Sequence, residues 1–316
     1  MNRHGRDWGR PDWLDLTFTS TILEAAMDRY FSRFPRNRCD VMAEDWDTLL
    51  VLDGCRFDLF SRVHDLSGTL DSRLSRGSNT GEFFEENFTG TRHHDTVYVT
   101  ANPVPRVEKW CSVDIDEVFH AVVDVWEDNW DEAVNTVRPE PVADAIRRAH
   151  ADYPDKRIIG HFIQPHQPFI GPTGRKIDER GMRAVDVMSG DDGDGCKKVW
   201  DQVEDGDLSV ERARRAYAEN LELVFPQVDD LCETIPEKTV VTADHGNMFG
   251  EFAWPFPVRT YGHPGGVHAR KLIKVPWLET GFETRREVTS ERPRERTETD
   301  TERDERLDRL EHLGYR

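Results

Sequence analysis

The sequence lacks an apolar run long enough to cross a membrane. No stretch of the chain reaches the roughly 18 consecutive apolar residues that mark a transmembrane helix. The first residues, Met1 to Trp8, carry charges that no apolar segment follows, which predicts that no signal peptide is present. We therefore expect a cytoplasmic protein with no membrane span.

Basic residues are also fewer than acidic residues. The chain has 42 Lys and Arg against 61 Asp and Glu, which gives a formal net charge of -19 at pH 7. A surface of this sign repels phosphate backbones and anionic lipids, so we expect no nucleic-acid partner. Such acidity is typical of halophilic proteins. An anionic substrate would need a local positive centre, such as a metal ion.

Cysteine usage excludes two further classes. The five cysteines are odd in number and scattered, without Cys-x-x-Cys spacing, and stand at positions 39, 55, 111, 196 and 232. Neither a disulfide framework nor a thiolate zinc site is indicated. Cys55, which adjoins an acidic motif, is expected to be a small buried thiol.

Short apolar runs alternate with helical patterns along the chain. Strand-like runs occupy residues 47–52, 95–102, 157–163 and 239–242, and helical patterns occupy residues 118–126, 141–150 and 208–234. This alternation predicts an α/β fold with a mostly parallel central sheet and helices on both faces. The last run, Leu272 to Leu278, contains Pro276 and is therefore expected to be an edge strand.

We expect one catalytic domain over residues 1–280, which opens with a helical pattern at 21–34. Residues 173–207 interrupt the strand and helix rhythm with a Gly-rich and Asp-rich insertion that would shape a pocket as a lid. Its segment 189–195 resembles a calcium loop in composition but does not fit the EF-hand ligand pattern. Residues 281–316 form a charged, largely disordered tail, which ends in a short helical turn carried by leucines 307, 310 and 313.

Acidic and imidazole side chains follow two of the strand-like runs. Asp53 ends the first run, and Asp244 and His245 end the run at residues 239–242. In an open α/β sheet, the carboxyl ends of parallel strands meet where ligands bind. Carboxylate oxygen and imidazole nitrogen are ligands for Zn or Mn, so these three residues are candidate metal ligands. His161, which lies inside a run, is expected to be a packed core histidine.

Hydroxyl groups feed a predicted helix at residues 82–88. The loop before this helix offers Ser78 and Thr80, and a helix N-terminus presents free N–H groups to phosphate or sulfate oxygens. Plain helix capping by either residue is the alternative. Arg56 would orient an anion or form a salt bridge to Asp58. His166 and His263 complete the set of candidates.

These segments resemble the alkaline phosphatase and sulfatase superfamily, nearest in motif to lipoteichoic acid synthase-type and haloarchaeal sulfatase-like proteins. The resemblance covers about residues 47–278. It rests on the segments Val51-Leu52-Asp53-Gly54-Cys55-Arg56-Phe57-Asp58, Gly77-Ser78-Asn79-Thr80-Gly81-Glu82-Phe83, Pro165-His166-Gln167-Pro168, Thr242-Ala243-Asp244-His245-Gly246 and Gly262-His263-Pro264. It implies an alkaline phosphatase-like fold.

The resemblance also implies roles for single residues. Asp53, Asp244 and His245 would hold one divalent metal, with Mn or Zn favoured and Mg or Ca possible. Gly54 stands where many sulfatases have a second Asp, and Gln164 and His166 supply no carboxylate for a second ion. His166 would face the oxygens of the ester, and His263 would be the late histidine of the superfamily, with His268 as a less favoured substrate-binding candidate.

The nucleophile has two candidates. When Glu82 and Phe83 are aligned with the lipoteichoic acid synthases, the resemblance points to Ser78, whereas helix-start geometry suits Thr80. The segment lacks the Cys/Ser-x-Pro-x-Arg motif needed to make formylglycine, so the hydrated-aldehyde mechanism of true sulfatases is not expected.

The resemblance implies a metal-dependent hydrolase or transferase of a phosphate or sulfate ester that forms a covalent intermediate. Its substrate would be a small molecule or a glycan-linked or lipid-linked ester. The alternatives are a catalytically degenerate binding protein for a metal or an anion on the same fold, and a phosphomutase.

Overall fold

The computed structural model describes residues 26, 29–31, 38–178, 198–292, 306–307 and 310. The chain divides into two compact units, Met1–Arg36 and Asn37–Arg316, and the description below concerns the second. The predicted helix at 21–34, most of the insertion and the terminal helical turn lie largely outside the described residues. The domain boundaries stay a prediction.

A seven-stranded sheet forms the centre of the second unit. Its strands are β1 (Thr48–Leu52), β2 (Thr69–Leu74), β3 (His93–Thr100), β4 (Phe119–Asp124), β7 (Arg157–Phe162), β8 (Thr239–Thr242) and β11 (Lys274–Glu279). Their order across the sheet is β2-β11-β8-β1-β7-β3-β4. The block β8-β1-β7-β3-β4 is parallel throughout, and β11 pairs antiparallel with both β8 and β2. The predicted α/β class and mostly parallel sheet are confirmed.

Helices and two small strand pairs surround this sheet. The helices are α1 (Phe57–Val63), α2 (Thr80–Phe88), α3 (Ile115–Val118), α4 (Val125–Asn129), α5 (Pro139–Asp152), α6 (Pro172–Asp178), α7 (Val199–Asp205), α8 (Val210–Thr234) and α9 (Arg270–Ile273). Strands β5 (Trp130–Asp131) and β6 (Thr136–Val137) form one antiparallel pair, and β9 (Met248–Phe252) and β10 (Arg259–Gly262) form the other. Helices α6 and α7 occupy the ends of the predicted insertion.

Strand β1 shows that both faces of the sheet are covered. Its five residues are all fully buried. Leu50 and Leu52 belong to one core cluster and Leu49 and Val51 to the other, as the alternation of side chains along a strand requires. A continuous apolar run is therefore the sequence signature of this strand because each face packs against helices.

Two predicted elements were wrong. Residues 119–124, expected to be helical, form the parallel strand β4, because the β-branched pair Val122 and Val123 extends the sheet beside β3. Strand β11 is not at the edge, since β2 pairs with its outer side. Pro276 is tolerated because the pairing of β11 with β8 covers only Trp277 to Glu279.

The described start of the predicted tail contacts the sheet. The Arg286 side chain is only 4% exposed and donates hydrogen bonds to the carbonyl oxygens of Tyr153 (2.9 Å) and Lys156 (2.6 Å), while Arg285 pairs with Asp47 (2.6 Å). Residues 281–292 thus pack against the amino ends of strands. Among the described residues, no helix has the length and apolar character that a membrane span requires.

Candidate metal centre and active site

Four neighbouring strands deliver polar side chains to one edge of the sheet. Asp53 follows β1, Asp244 and His245 follow β8, His166 follows β7 and Asn102 follows β3. These strands are adjacent in the order β8-β1-β7-β3 and run parallel, so their carboxyl ends coincide. The edge predicted from the sequence to hold the chemistry is therefore assembled by the topology.

Asp53, Asp244 and His245 form the candidate metal centre. One ligand atom of each lies within 4.8 Å of the others, and all three side chains are buried. His245 Nε2 is 3.4 Å from both Asp53 Oδ1 and Asp244 Oδ2. Asp53 Oδ1 is buried without a hydrogen-bond partner, which is costly for a carboxylate oxygen. A divalent cation would satisfy this oxygen, so the three side chains fit such an ion.

Hydrogen bonds orient the Asp244 carboxylate and the His245 imidazole. Asp244 Oδ1 accepts from the Gly54 amide (2.9 Å) and the His245 amide (2.8 Å). His245 Nδ1 donates to the Gly246 carbonyl at 2.7 Å, because a carbonyl only accepts. In the neutral imidazole this bond leaves the lone pair on Nε2, which faces the two carboxylates. This is the tautomer that a metal-ligating histidine adopts.

The charges in this cluster oppose the effect of burial. Burial alone lowers the pKa of His245, but Asp244 and Asp53 reverse this effect and raise its pKa to about 9. Burial alone raises the pKa of Asp53, but His166 and His245 hold it below its ordinary value. Two buried carboxylates, each 3.4 Å from His245 Nε2, thus favour a positive charge between them.

The structure brings Thr80 to the metal centre and places Ser78 elsewhere. Thr80 Oγ1 donates to Asp244 Oδ2 at 2.9 Å and lies 3.4 Å from His245 Nε2. Thr80 is the first residue of α2, whose N-cap is Asn79, and its side chain is buried. Ser78 Oγ instead contacts Glu82 Oε2 (2.8 Å) and the Pro264 carbonyl (3.0 Å).

His166 and His263 form a pair beside the metal centre. Their Nε2 atoms are 2.8 Å apart, and the ring centroid of His263 is 4.8 Å from that of His245. His166 Nδ1 donates to the Gln167 carbonyl at 2.6 Å, so its Nε2 accepts the shared proton when His166 is neutral. Burial, followed by the nearby His245 and His166, lowers the pKa of His263 well below its ordinary value. Both predicted histidines therefore lie together.

Arg56 is engaged in ion pairs. Its guanidinium forms two bonds of 2.8 Å with Asp58 and one of 2.7 Å with Glu251, and it also donates to the Asn247 carbonyl at 3.1 Å. It lies 4.4 Å from the centre of the Phe249 ring. Of the two roles left open by the sequence, the geometry matches the salt bridge to Asp58.

His268 is bound to an acidic side chain on α2. Its Nε2 lies 3.1 Å from Glu82 Oε2. Burial alone raises the pKa of Glu82, but hydrogen bonds from His268, Ser78 and Gly266 lower it to about 2. His268 and Ser78 therefore belong to one hydrogen-bond network around Glu82.

Sequence reasoning missed one residue at the candidate metal centre and assigned a second one only to the core. Asn102 Nδ2 donates to Asp53 Oδ2 at 2.6 Å and so orients this carboxylate. His161 lies inside β7, as a core histidine would, but its Nε2 has no hydrogen-bond partner and is 3.8 Å from Asp244 Oδ2. Asn102 had a usable signal, since it ends a strand-like run in front of Pro103.

Neither a family model nor a curated protein matches this sequence. Several solved structures are similar to it. The integral membrane protein lipooligosaccharide phosphoethanolamine transferase A (EptA) from Neisseria meningitidis has 13% sequence identity and a TM-score of 0.44, and the match covers 84% of this chain and 55% of that one. This chain thus spans little more than half the length of EptA.

Two other solved structures are similar to this chain to a comparable degree. A protein in the alkaline phosphatase superfamily from Vibrio parahaemolyticus has 11% identity and a TM-score of 0.43, over 84% of this chain and 70% of that one. The lipoteichoic acid synthase LtaP from Listeria monocytogenes has 10% identity and a TM-score of 0.42, over 83% and 73%.

Proposed function

We propose that the protein is a metal-dependent enzyme that transfers or hydrolyses a phosphate ester through a covalent intermediate on Thr80. The observation that carries this proposal is the position of the Thr80 hydroxyl, which lies 2.9 Å from Asp244 Oδ2 and 3.4 Å from His245 Nε2. A hydroxyl that adjoins a candidate metal centre and begins a helix has the environment of an activated nucleophile.

Phosphate is favoured over sulfate by the sequence. The resemblance of residues 77–83 is to lipoteichoic acid synthases, and the segment has no formylglycine motif. Sulfate transfer remains an outcome that the assay below distinguishes.

Each residue of the site has a part in the proposed reaction. Asp53, Asp244 and His245 would hold a divalent cation, which when bound lowers the pKa of a neighbouring hydroxyl and supplies positive charge to the ester. Thr80 Oγ1, after loss of its proton to solvent, forms a bond to phosphorus while the bond from phosphorus to the leaving oxygen breaks.

The histidine pair balances the protons. His166 and His263 share one proton between their Nε2 atoms, and burial disfavours a second proton on His263. As the leaving oxygen departs, the pair passes a proton to it and takes a replacement from solvent, so the pair is neutral before and after the step. Water or an acceptor alcohol then attacks phosphorus, loses its own proton, and releases Thr80 Oγ1.

Release of p-nitrophenol from its phosphate monoester, phosphate diester and sulfate ester tests the proposal. The assay is run on metal-free protein and after addition of Mn, Zn, Mg or Ca. We expect metal-restored turnover of a phosphate ester, together with an intact mass raised by one phosphoryl group during turnover.

Matched variants identify the nucleophile. Thr80→Ala should lose both turnover and the covalent adduct, whereas Ser78→Ala should still form the adduct because its hydroxyl does not contact the metal centre. Loss of the adduct in Ser78→Ala but not in Thr80→Ala would overturn the assignment. A folded, metal-binding wild-type protein that turns over no ester would overturn the proposed function.

A further inference from the structure

Glu82 connects the two parts of the site that the sheet does not hold. Asp53, Asp244 and His245 sit directly at strand ends, whereas Thr80 belongs to α2 and His263 to the segment after β10. Thr80 and His263 must keep one relative position if the first attacks phosphorus and the second acts on the leaving oxygen. A contact between α2 and the segment 263–268, which follows β10, would keep this position.

A single carboxylate accepts four hydrogen bonds from these two segments. Oε2 accepts from the Ser78 amide (2.9 Å), the Ser78 hydroxyl (2.8 Å) and His268 Nε2 (3.1 Å), and Oε1 accepts from the Gly266 amide. Ser78 lies two residues before Thr80, and Gly266 lies three residues after His263. Glu82 thus joins the approach to the nucleophile with the segment that follows the histidine.

This arrangement departs from ordinary helix capping. In a capping box, the glutamate at the third helical position bonds to the amide of the N-cap residue itself. Here the N-cap is Asn79, whose side chain accepts from the Glu82 amide at 2.8 Å, and the Glu82 carboxylate passes the cap to reach Ser78. The remaining donors come from a segment more than 180 residues away in sequence. Helix capping alone would not need these distant donors.

The segment 263–268 approaches α2 closely. A Cβ atom added to Gly265 would lie 3.0 Å from Asn79 Nδ2 and 3.3 Å from Glu82 Oε1. The Ser78 hydroxyl adds a contact of 3.0 Å to the Pro264 carbonyl. The two segments are therefore in direct contact, and polar bonds to Glu82 and Ser78 fix their register.

We propose that Glu82 is a positioning residue. Its one carboxylate binds both segments, residues 78–80 and 263–268, and so sets the distance between Thr80 and the His166–His263 pair. This inference rests on the proposed function and deepens it. It also assigns a shared role to Ser78 and His268, which supply donors to Glu82.

Glu82→Gln is the direct test, with Glu86→Gln as the matched control. Glu86 lies on the same helix one turn later, is exposed, and loses the same charge when replaced. Glutamine at position 82 keeps one acceptor oxygen but turns an N–H donor towards either Gly266 or the Ser78 and His268 donors. A small displacement of reacting groups costs on the order of 10²-fold in rate, so we expect kcat with the phosphate ester to fall by about this factor.

If Glu82 had a purely structural role, Glu82→Gln would also change KM and the affinity for Mn. We expect KM and the affinity for Mn, measured by titration calorimetry, to stay near the wild-type values, because the strand-end ligands do not touch Glu82. The double variant Ser78→Ala with Glu82→Gln should lose little more than Glu82→Gln alone, since both act through one network. Glu82→Gln with the kcat of Glu86→Gln, or with an equal loss of Mn affinity, would overturn the proposal.

Hydrogen exchange separates this inference from the proposed function. Backbone amides of residues 263–268 should exchange faster in Glu82→Gln than in Glu86→Gln, whether or not the protein turns over any ester. Absence of turnover in the wild type with faster exchange in Glu82→Gln would overturn the function but support the connection. Unchanged exchange would overturn the connection. If Glu82→Gln does not fold, His268→Ala removes one donor and should give a smaller change in the same direction.

Discussion

Replacement of Arg56 by methionine should destabilise the protein without weakening substrate binding. The side chain is only 2% exposed and pairs with Asp58 and Glu251, whose side chains are 26% and 32% exposed. Methionine keeps much of the apolar stem but removes every donor. The change therefore leaves Glu251 and the Asn247 carbonyl without their cation, whereas Asp58 keeps its pair with Lys271 at 2.6 Å.

The magnitude follows from this exposure. Removal of one partner from a fully buried ion pair costs about 3–5 kcal/mol in the free energy of unfolding. Because Asp58 keeps its pair with Lys271 and both carboxylates can be partly rehydrated, we expect a loss of about 3 kcal/mol, the lower end of that range. Salt should change this value little, since pairs with a buried member are weakly screened.

Urea unfolding and ester kinetics measure the two consequences. Arg62→Met is the matched control, because Arg62 lies on α1, whose N-cap is Arg56, but is exposed. We expect a lower urea midpoint for Arg56→Met only, with KM for the phosphate ester close to that of Arg62→Met. An unfolding free energy within about 0.5 kcal/mol of the control, as for ordinary surface changes, combined with a large rise in KM would refute the structural role and restore anion binding.

Two further predictions concern the metal centre and the opposite edge of the sheet. Asn102→Ala removes the amide that orients Asp53 and should lower Mn affinity by about 10–100-fold, measured by titration calorimetry; an unchanged affinity would contradict this orienting role. His150 accepts a hydrogen bond from Arg286 at 2.5 Å, and burial, followed by this guanidinium, lowers the pKa of His150 to about 3. Because the folded state disfavours the protonated imidazole, the contribution of His150 to the free energy of unfolding is complete above its unfolded pKa of about 6.5. This contribution is lost as the pH falls towards about 3. The unfolding free energy of His150→Gln should vary less over this pH range than that of the wild type, and equal pH dependence would contradict the assignment.

Much of the candidate metal centre could be predicted because its residues lie next to strands. Asp53 and the Asp244-His245 pair directly follow buried apolar runs, and parallel pairing of β1 with β8 places their carboxyl ends side by side. The same rule could have found Asn102, which follows β3. Sequence position fixes these side chains because the strand ends bring them to one edge.

The remainder of the site depends on contacts between distant residues. Ser78 and Thr80 belong to one turn, and local pattern could not decide between them. Their separation into a Glu82-bound hydroxyl and an Asp244-bound hydroxyl requires the approach of β8 and of the segment 263–268 to α2. Arg56 has the same dependence, since its partner Glu251 is 195 residues away. No periodicity or spacing carries such information.

The glycine at position 54 connects the departure from the sulfatase pattern to the expected single metal ion. Gly54 has φ +66, a conformation that favours glycine, and its amide binds Asp244 Oδ1. A Cβ atom at this position would lie 3.4 Å from His245 Cε1 and 3.7 Å from His166 Cδ2, so a carboxylate there would enter the space beside the two imidazoles. Glycine instead supplies an amide that orients an existing ligand. The cluster of Asp53, Asp244 and His245 thus offers ligands for one ion.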